Sequence, residues 1–482
     1  MTARAFGRRG PAPSASPGDP ARLPLVQIES LDQDGRGIAR LDGKTLFVDG
    51  ALTGERVRVS SYMRKPTYEF AETVAIERAS PERATPRCPH FGVCGGCAMQ
   101  HLEPRAQVAA KQRVLEDNLQ HIAKLRADIM LSAIHGPTWG YRYRARLSAR
   151  LVAKKGGVLV GFHEKRSSFI ADMRECHVLA PVVARLLVPL RALVESLSIA
   201  DRMPQIEVAV TDPETRAVGA EPVLHCALVF RNLAPLTPAD ETQMRAFADQ
   251  HRVQIFLQPK GPETAQPFHP PEPALLEYAL SEFGVRLRFS PTEFTQVNHA
   301  TNQVLVRRAI GLLDPRPGER IADFFCGLGN FSLPIASRGA QVVGIEGAKA
   351  LVARATTNAA LNGLSERARF EVADLYKAEP DSLAALGPLD KWLVDPARDG
   401  ALALVKSIGE PTSTGEVPTP PSRIVYVSCN PATLARDAGV LVHTKGYVLR
   451  AAGVINMFPH TGHVESIAWF EREPGPDDPA HE

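Results

Sequence analysis

At 482 residues the chain is too long for one ordinary hydrophobic core, so two or three domains are expected. Apolar residues make up 44% and charged residues 23%, the balance of a globular protein, and no apolar run approaches the roughly 20 residues that span a bilayer. The net charge of +3 decides little, but residues 141–176 carry nine Lys/Arg against three Asp/Glu, and seven cysteines without an export signal point to a reducing cytoplasm, where clustered thiols are metal-binding or catalytic.

Residues 1–22 are rich in Arg, Pro and Ser and lack the apolar stretch of a secretory signal. Arg4, Arg8, Arg9 and Ser14 suit a mitochondrial presequence, but Pro11, Pro13, Pro17 and Pro20 oppose an amphipathic helix, so a disordered tail is expected. Over residues 23–80, alternating stretches at 26–28, 45–48, 56–59 and 72–76 are separated by turns such as Asp34-Gly35 and Asp49-Gly50. They predict a small barrel like an OB-fold, a pattern that a generic β adaptor also satisfies. A Cys-rich loop occupies 88–101. A helix is expected from about 105 to 125, with Val108, Leu115, Leu119 and Ile122 at helical spacing. Residues 140–280 read as mixed α/β, with strands at 144–152, 206–210, 224–230 and 253–257. From about 281 to Phe470 strand and helix alternate, which predicts a parallel, doubly wound sheet. The polar, Pro-rich stretch 409–422 interrupts it and reads as a surface loop. There is no internal repeat.

The run Arg320-Ile-Ala-Asp-Phe-Phe-Cys-Gly-Leu-Gly-Asn330 leads a strand into a glycine turn and a helix. Glycines there let a ligand approach the backbone closely. The next strand ends in Glu346, an acid about 20 residues past the turn, placed to bind ribose hydroxyls. Ser332 replaces the third glycine of a dinucleotide fingerprint, so adenosylmethionine fits better than NAD. Asp374 follows a third strand and could accept from an adenine amino group; a solvated loop Asp is the plainer reading. A fourth strand ends in Asp395-Pro-Ala-Arg398. Asp323, Glu346, Asp374 and Asp395 are all expected on the carboxyl edge of the sheet, where ligands of open α/β sheets bind.

A fifth strand ends on that edge in Cys429-Asn-Pro-Ala-Thr. Carbon 5 of uracil is a poor nucleophile toward a methyl sulfonium. A thiolate adding to carbon 6 makes an enolate whose carbon 5 can attack. A base must then remove the carbon 5 proton, with Glu465 in Phe458-Pro-His-Thr-Gly-His-Val-Glu465 the candidate and His460 and His463 its rivals. Cys326 lies inside the glycine turn against the cofactor, so Cys429 is the preferred nucleophile. Cys226 lies in an apolar strand and reads as core.

Ser428-Cys-Asn-Pro-Ala-Thr, Asp323-Phe-Phe-Cys-Gly-Leu-Gly-Asn-Phe, Phe294-Thr-Gln-Val-Asn298 and Phe458-Pro-His-Thr-Gly-His-Val-Glu together resemble the bacterial RNA uracil-5 methyltransferases. The resemblance runs from about residue 23 through nearly the whole chain. It implies Cys429 as nucleophile, Glu465 as base, and Gln296, Phe325, Asn330, Glu346, Asp374 and Asp395 lining the cofactor or reaction site. Within the family it is to the branch that methylates 23S ribosomal RNA. This implies a TRAM barrel at 23–80 and a central mixed α/β domain at 81–104 and 125–280. A Rossmann-like class I methyltransferase domain at 105–124 and 281–473 and a tail at 474–482 complete the division. It also implies a [4Fe–4S] cluster on Cys88, Cys94, Cys97 and Cys176. Zinc competes as a four-cysteine metal, although the x5 then x2 spacing of Cys88, Cys94 and Cys97 is not that of paired zinc-ribbon ligands.

Tyr141-Arg-Tyr-Arg-Ala-Arg and Phe162-His-Glu-Lys-Arg-Ser-Ser-Phe interleave aromatics with cations, as a surface does that neutralises phosphates and stacks bases; strands with charged solvent faces would look the same. A monomer that needs no membrane and no obligate protein partner is expected. Competing functions are a transfer-RNA uracil-5 methyltransferase and a non-catalytic RNA-binding ribosome-assembly factor. A radical enzyme would leave one iron of its cluster open, and four matched cysteines do not.

Overall fold

Alternating apolar and polar residues over 25–78 build six strands: β1 (Leu25–Gln27), β2 (Ser30–Leu31), β3 (Gly37–Leu41), β4 (Lys44–Asp49), β5 (Arg56–Arg64) and β6 (Tyr68–Arg78). The computed structural model describes residues 19–211 and 226–473 and divides between Arg83 and Ala84 into two compact units. In the first, the strand order is β1-β5-β6-β4-β3-β2. The single run 25–31 borders both edges of this sheet. Ile28 N–H donates to Glu55 O and Glu29 N–H to Ile38 O, so the sheet closes into a barrel. Val26, Leu46, Val48, Val57 and Val59 fill it. A Cβ at Gly37 would stand 2.9 Å from Ile28, which makes glycine obligatory where the closing run crosses. The stretches expected at 45–48, 56–59 and 72–76 lie within β4, β5 and β6, and that at 26–28 overlaps β1 but runs one residue past it. The short hairpin β2–β3 around Asp34-Gly35 carries too few apolar residues to be seen in the sequence.

The expected 1–22 tail lies outside the described residues up to residue 18. Pro20–Arg22 form a 3-10 turn, and Arg58 donates to the carbonyls of Ala21 and Leu23. The 474–482 tail is likewise outside.

The second unit contains two large sheets. After β7 (Ile129–Met130), the first comprises β8 (Arg144–Val152), β9 (Gly157–Gly161), β10 (Gln205–Val210), β11 (Cys226–Arg231), β12 (Gln254–Leu257) and β13 (Gln266–His269), ordered β13-β12-β11-β10-β8-β9. The strands expected at 144–152, 206–210 and 253–257 are present. Residues 224 and 225 of the expected 224–230 strand lie outside the described residues. Helices Leu187–Ser196 and Pro238–His251 share this sheet's core through Leu187, Leu190, Met244 and Phe247.

A hairpin of β14 (Leu276–Leu280) and β15 (Val285–Phe289) precedes the helix His299–Leu313. The second large sheet then forms from β16 (Arg320–Phe324), β17 (Gln341–Glu346), β18 (Ala368–Val372), β19 (Lys391–Val394), β20 (Arg423–Ser428), β21 (Tyr447–Ile455) and β22 (Glu465–Arg472), with β7 added at one edge. Its order is β18-β17-β16-β19-β20-β22-β21-β7. Five strands are parallel as expected, but β22 is antiparallel to both β20 and β21. The expectation of a parallel sheet to Phe470 fails there because residues 456–464 are too few for the crossover that parallel neighbours need.

The helix expected over 105–125 is α-helical at Pro104–Asn118 and then widens into a π turn, Leu119–Ala123. Val108, Leu115 and Leu119 are buried with Leu434, Leu441 and Leu449. The π turn rotates the end of the helix out of its earlier register, so Ile122 is 48% exposed instead of core. The 409–422 stretch is a loop pinned by Ser413 to Asp381 and by Tyr447 OH to Pro421 O. Among the described residues no helix is long and apolar enough to cross a membrane.

Candidate active site and cysteine cluster

Beyond β16 the chain turns through Phe325, Gly327 and Gly329, all at positive φ (64°, 56° and 98°). No atom lies within 4 Å of where a Gly327 Cβ would stand, so the turn's backbone is open to a ligand. Gly327 N–H donates to Glu346 Oε2 at 3.2 Å, and Glu346 Oε1 accepts from Ala348 N–H at 2.9 Å. These bonds tie the acid at the end of β17 to the turn after β16. Asp374 caps the 3-10 turn Leu375–Lys377 and is exposed at the rim. Asp395 follows β19 and Cys429 follows β20.

Together with Gln296, Phe325, Asn330 and Glu465, these residues line one cavity of about 830 Å³. Every expected cofactor and catalytic residue is thus on its wall. Asn330 accepts from Tyr278 OH and exchanges hydrogen bonds with Asn302, which fixes its orientation. Asp323 is different. It was expected on the ligand edge, yet it is fully buried within β16 and accepts from the Ser332 hydroxyl, bracing the glycine turn from below. Burial pushes its carboxyl up to about 7.

Strands β20 and β22 run antiparallel with Ser428 opposite Ser466 as their last pair, so Cys429, one residue past β20, and Glu465, the first residue of β22, lie at the same end of the two strands. The two residues line the same cavity although 36 positions separate them in the sequence. Burial, then Glu465 and Asp395, push the Cys429 thiol up to about 11; Arg398 acts in the opposite direction. Glu465 is 4% exposed, and burial followed by Asp395 pushes its carboxyl up to about 8, with Lys111 opposing. Asp395 opens onto the cavity but is otherwise enclosed by protein, which raises its carboxyl to about 7.

The rival bases separate cleanly. His460 is 2% exposed and absent from the cavity wall; its Nδ1 lies 3.1 Å from Gln107 Nε2, and its ring stacks on Trp139 at 4.0 Å. Burial pushes its pKa down to about 4. His463 does line the cavity, with Nδ1 3.0 Å from an Arg398 nitrogen. Cys326 forms part of the cavity wall at 3% exposure, and Cys226 is fully buried in β11, as core.

Cys88, Cys94, Cys97 and Cys176 line one small pocket with Phe162 and Met173. Burial first, and then neighbouring cysteines, push Cys97 up to about 12 and Cys176 up to about 11; Cys94 is raised for the same reasons. Four thiols thus border one shared space, a donor set that fits a [4Fe–4S] cluster held by four cysteine thiolates.

A family model described as tRNA (Uracil-5-)-methyltransferase matches residues 278–377, and a TRAM domain model matches residues 25–60. A 23S rRNA (uracil(1939)-C(5))-methyltransferase RlmD of Aromatoleum aromaticum is 60% identical over 450 residues, 93% of this chain and 100% of the relative. Its namesake in Burkholderia pseudomallei is 59% identical over 467 residues, 95% of this chain and 98% of the relative. The chain belongs to the RlmD family. A solved structure of Pyrococcus abyssi tRNA (uracil-54, C5)-methyltransferase with S-adenosyl-L-homocysteine superimposes with a TM-score of 0.66 at 24% identity, covering 92% of this chain and 99% of that one. The RlmD fold is therefore shared with an enzyme named for another RNA.

For an RlmD family member the basic stretch is less open than its sequence suggests. Tyr141 is buried with its hydroxyl donating to Pro459 O, Tyr143 stacks on His299, and Phe162 packs against the cysteine pocket. Phe169, 66% exposed, is the aromatic of those motifs that projects outward. Sequence reasoning assigned no role to Phe294, Tyr376 and Arg398, which line the cavity, or to Lys111 and Gln107, which bond to Asn456, Phe458 and His460. Phe294 carried a readable signal, since it opens the motif that ends at Asn298; Lys111, one lysine on an amphipathic helix, carried none.

Proposed function

We propose that this protein transfers a methyl group from S-adenosylmethionine to carbon 5 of a uridine in 23S ribosomal RNA, the counterpart of the uracil 1939 after which its relatives are named. The observation that carries the reading is that Cys429 and Glu465, at the same end of neighbouring strands β20 and β22, line one cavity with Glu346 and Asp374. Adenosylmethionine, when bound, supplies an electrophilic methyl group. The open Gly327 turn fits its approach, Glu346 is placed for ribose hydroxyls and Asp374 for the adenine amino group, while Gln296, Phe325, Asn330 and Asp395 complete the wall.

The uridine is flipped into the cavity. Cys429 sulfur bonds to carbon 6, and the displaced π electrons make carbon 5 nucleophilic; Arg398 favours the thiolate. After methyl transfer, Glu465 takes the carbon 5 proton, the C5–C6 double bond re-forms and the sulfur–carbon bond breaks. Cys88, Cys94, Cys97 and Cys176 would hold a [4Fe–4S] cluster, which would tie the 88–97 loop to Cys176. The unpaired thiols fit a cytoplasmic setting.

Anaerobically purified protein, incubated with labelled adenosylmethionine and unmodified 23S, 16S or transfer RNA, is expected to place 5-methyluridine in 23S RNA alone and to lose at least about 10³-fold activity in Cys429→Ala. Label in transfer RNA would reassign the substrate and leave the chemistry intact. Full activity of Cys429→Ala would sink the covalent route.

A further inference from the structure

Among the described residues the cavity wall carries four carboxylates, Glu346, Asp374, Asp395 and Glu465, and a single Lys or Arg, Arg398. Depth is graded along the segment after β19. Asp395 is enclosed apart from its opening onto the cavity, whereas Arg398, three residues on, is exposed at the mouth. The Arg398 backbone is fixed to the residues that follow Cys429: its carbonyl accepts from Asn430 Nδ2 at 3.0 Å and from Thr433 Oγ1 at 3.2 Å. Its side chain is held as well, with Nη2 3.0 Å from His463 Nδ1. A guanidinium has only donors, so Nδ1 is the acceptor, and the imidazole is neutral with its proton on Nε2. His463 is set in turn by its backbone N–H, which donates to Thr461 Oγ1 at 3.3 Å.

The nature of this partner matters. Arg83, Arg354 and Arg423 each face a carboxylate, Glu55, Glu293 and Glu471. Among the described residues Arg398 has no carboxylate at ion-pair distance, although Asp399 is its neighbour in the chain. A neutral imidazole aims the guanidinium without cancelling its charge. RNA, a polyanion, must approach a mouth otherwise lined by carboxylates. A flipped nucleotide enters base first, so its phosphates stay at the rim, where Arg398 stands.

We propose that Arg398 binds a backbone phosphate beside the flipped uridine, and that neutral His463 is the positioning residue that aims it. This rests on the methyltransferase reading.

The test counts phosphate contacts. Cluster-loaded protein in a Cys429→Ala background, in which no adduct forms, is titrated at several salt concentrations with a fragment of unmodified 23S RNA spanning the counterpart of uracil 1939. Each phosphate neutralised contributes about 0.7–0.9 to the slope of log affinity against log salt. Arg398→Gln is expected to bind roughly tenfold more weakly at about 0.1 M salt and to flatten the slope by that contribution. Arg398→Lys, which keeps a positive charge, is expected to keep the slope. His463→Ala is expected to weaken binding, and His463→Gln, whose side-chain oxygen can accept from the guanidinium, to restore it. An unchanged slope in Arg398→Gln would overturn the proposal and place the guanidinium on a uracil carbonyl or the thiol instead. So would a parallel loss of adenosylhomocysteine binding in calorimetry, the mark of a collapsed cavity. Equal losses in His463→Ala and His463→Gln would overturn the positioning role. Wild type that binds the RNA yet methylates none would fail the methyltransferase reading, and the slopes would still decide the phosphate contact.

Discussion

Glu55 in the barrel and Glu465 in the second unit are both almost fully buried, at 0% and 4% exposure. Burial alone would raise both carboxyl groups. Glu55 accepts from Arg83 Nε at 2.6 Å and Arg83 Nη2 at 2.7 Å, and from the N–H groups of Leu52 and Ser80. Against burial, these donors hold it below the usual carboxylate range. Among the described residues nothing donates a hydrogen bond to the Glu465 carboxylate, and it stands at about 8. A carboxylate whose oxygens are all occupied ties a fold together and is a poor proton acceptor. One buried without donors is a strain on the fold and a good acceptor when ionised.

The largest effect that can break this contrast is on turnover. Glu465→Gln is expected to lower 5-methyluridine release by on the order of 10²–10⁴-fold and leave a methylated RNA attached to Cys429, seen as a slow band on a denaturing gel. Normal release would remove Glu465 from the reaction. A second effect concerns the loop that carries the base. Ala98 and Met99, directly after Cys97, donate their N–H groups to His460 O at 2.8 and 3.0 Å. Stripping the cluster with a chelator, or Cys97→Ser, is expected to speed amide exchange across 456–464 roughly tenfold, measured by hydrogen-exchange mass spectrometry. Unchanged protection would mean that Gln107, Lys111 and Tyr141 suffice.

Smaller effects fall on stability and run in opposite directions. Glu55→Gln leaves Arg83 without its counter-charge and is expected to cost about 2 kcal/mol in urea titrations at pH 7. The folded pKa of Glu55 is depressed, so its contribution is complete above the ordinary glutamate value and is lost as pH falls through the folded one; the variant gap should close in acid. Glu465 has a raised folded pKa, so its favourable contribution is complete below the ordinary glutamate value and is lost as pH rises through about 8. Glu465→Gln should therefore match wild type in Tm near pH 5 or fall slightly below it, and exceed it by a few degrees near pH 8.5. A Tm difference independent of pH would show that Glu465 has a donor after all.

The proposed nucleophile and base were legible because they stand at strand termini inside distinctive motifs, Cys429 just after β20 and Glu465 at the start of β22, and the strand at 144–152 lies where the pattern put it. What was not legible depends on partners distant in sequence. Gln107 and Lys111 look like ordinary polar positions of a helix until the loop 456–460 is laid against them. Tyr141 and Tyr143 looked like stacking residues, but their partners, Pro459 and His299, lie far along the chain. The antiparallel placement of β22 depends on a short return from β21, which helix–strand alternation does not encode.

The ladder between β20 and β22 also works as a ruler. The spacing of thiol and acid is measured from the Ser428–Ser466 rung, and the Pro-rich stretch 409–422 joins β20 at its far end, six residues upstream at Arg423. Roughly 20 Å of extended chain lie between that junction and the reacting pair. Length changes in 409–422 can therefore accumulate without altering the chemistry, so this is the place to splice in a tag or a reporter. A single residue added within β22 would turn the acid to the opposite face and disarm the enzyme.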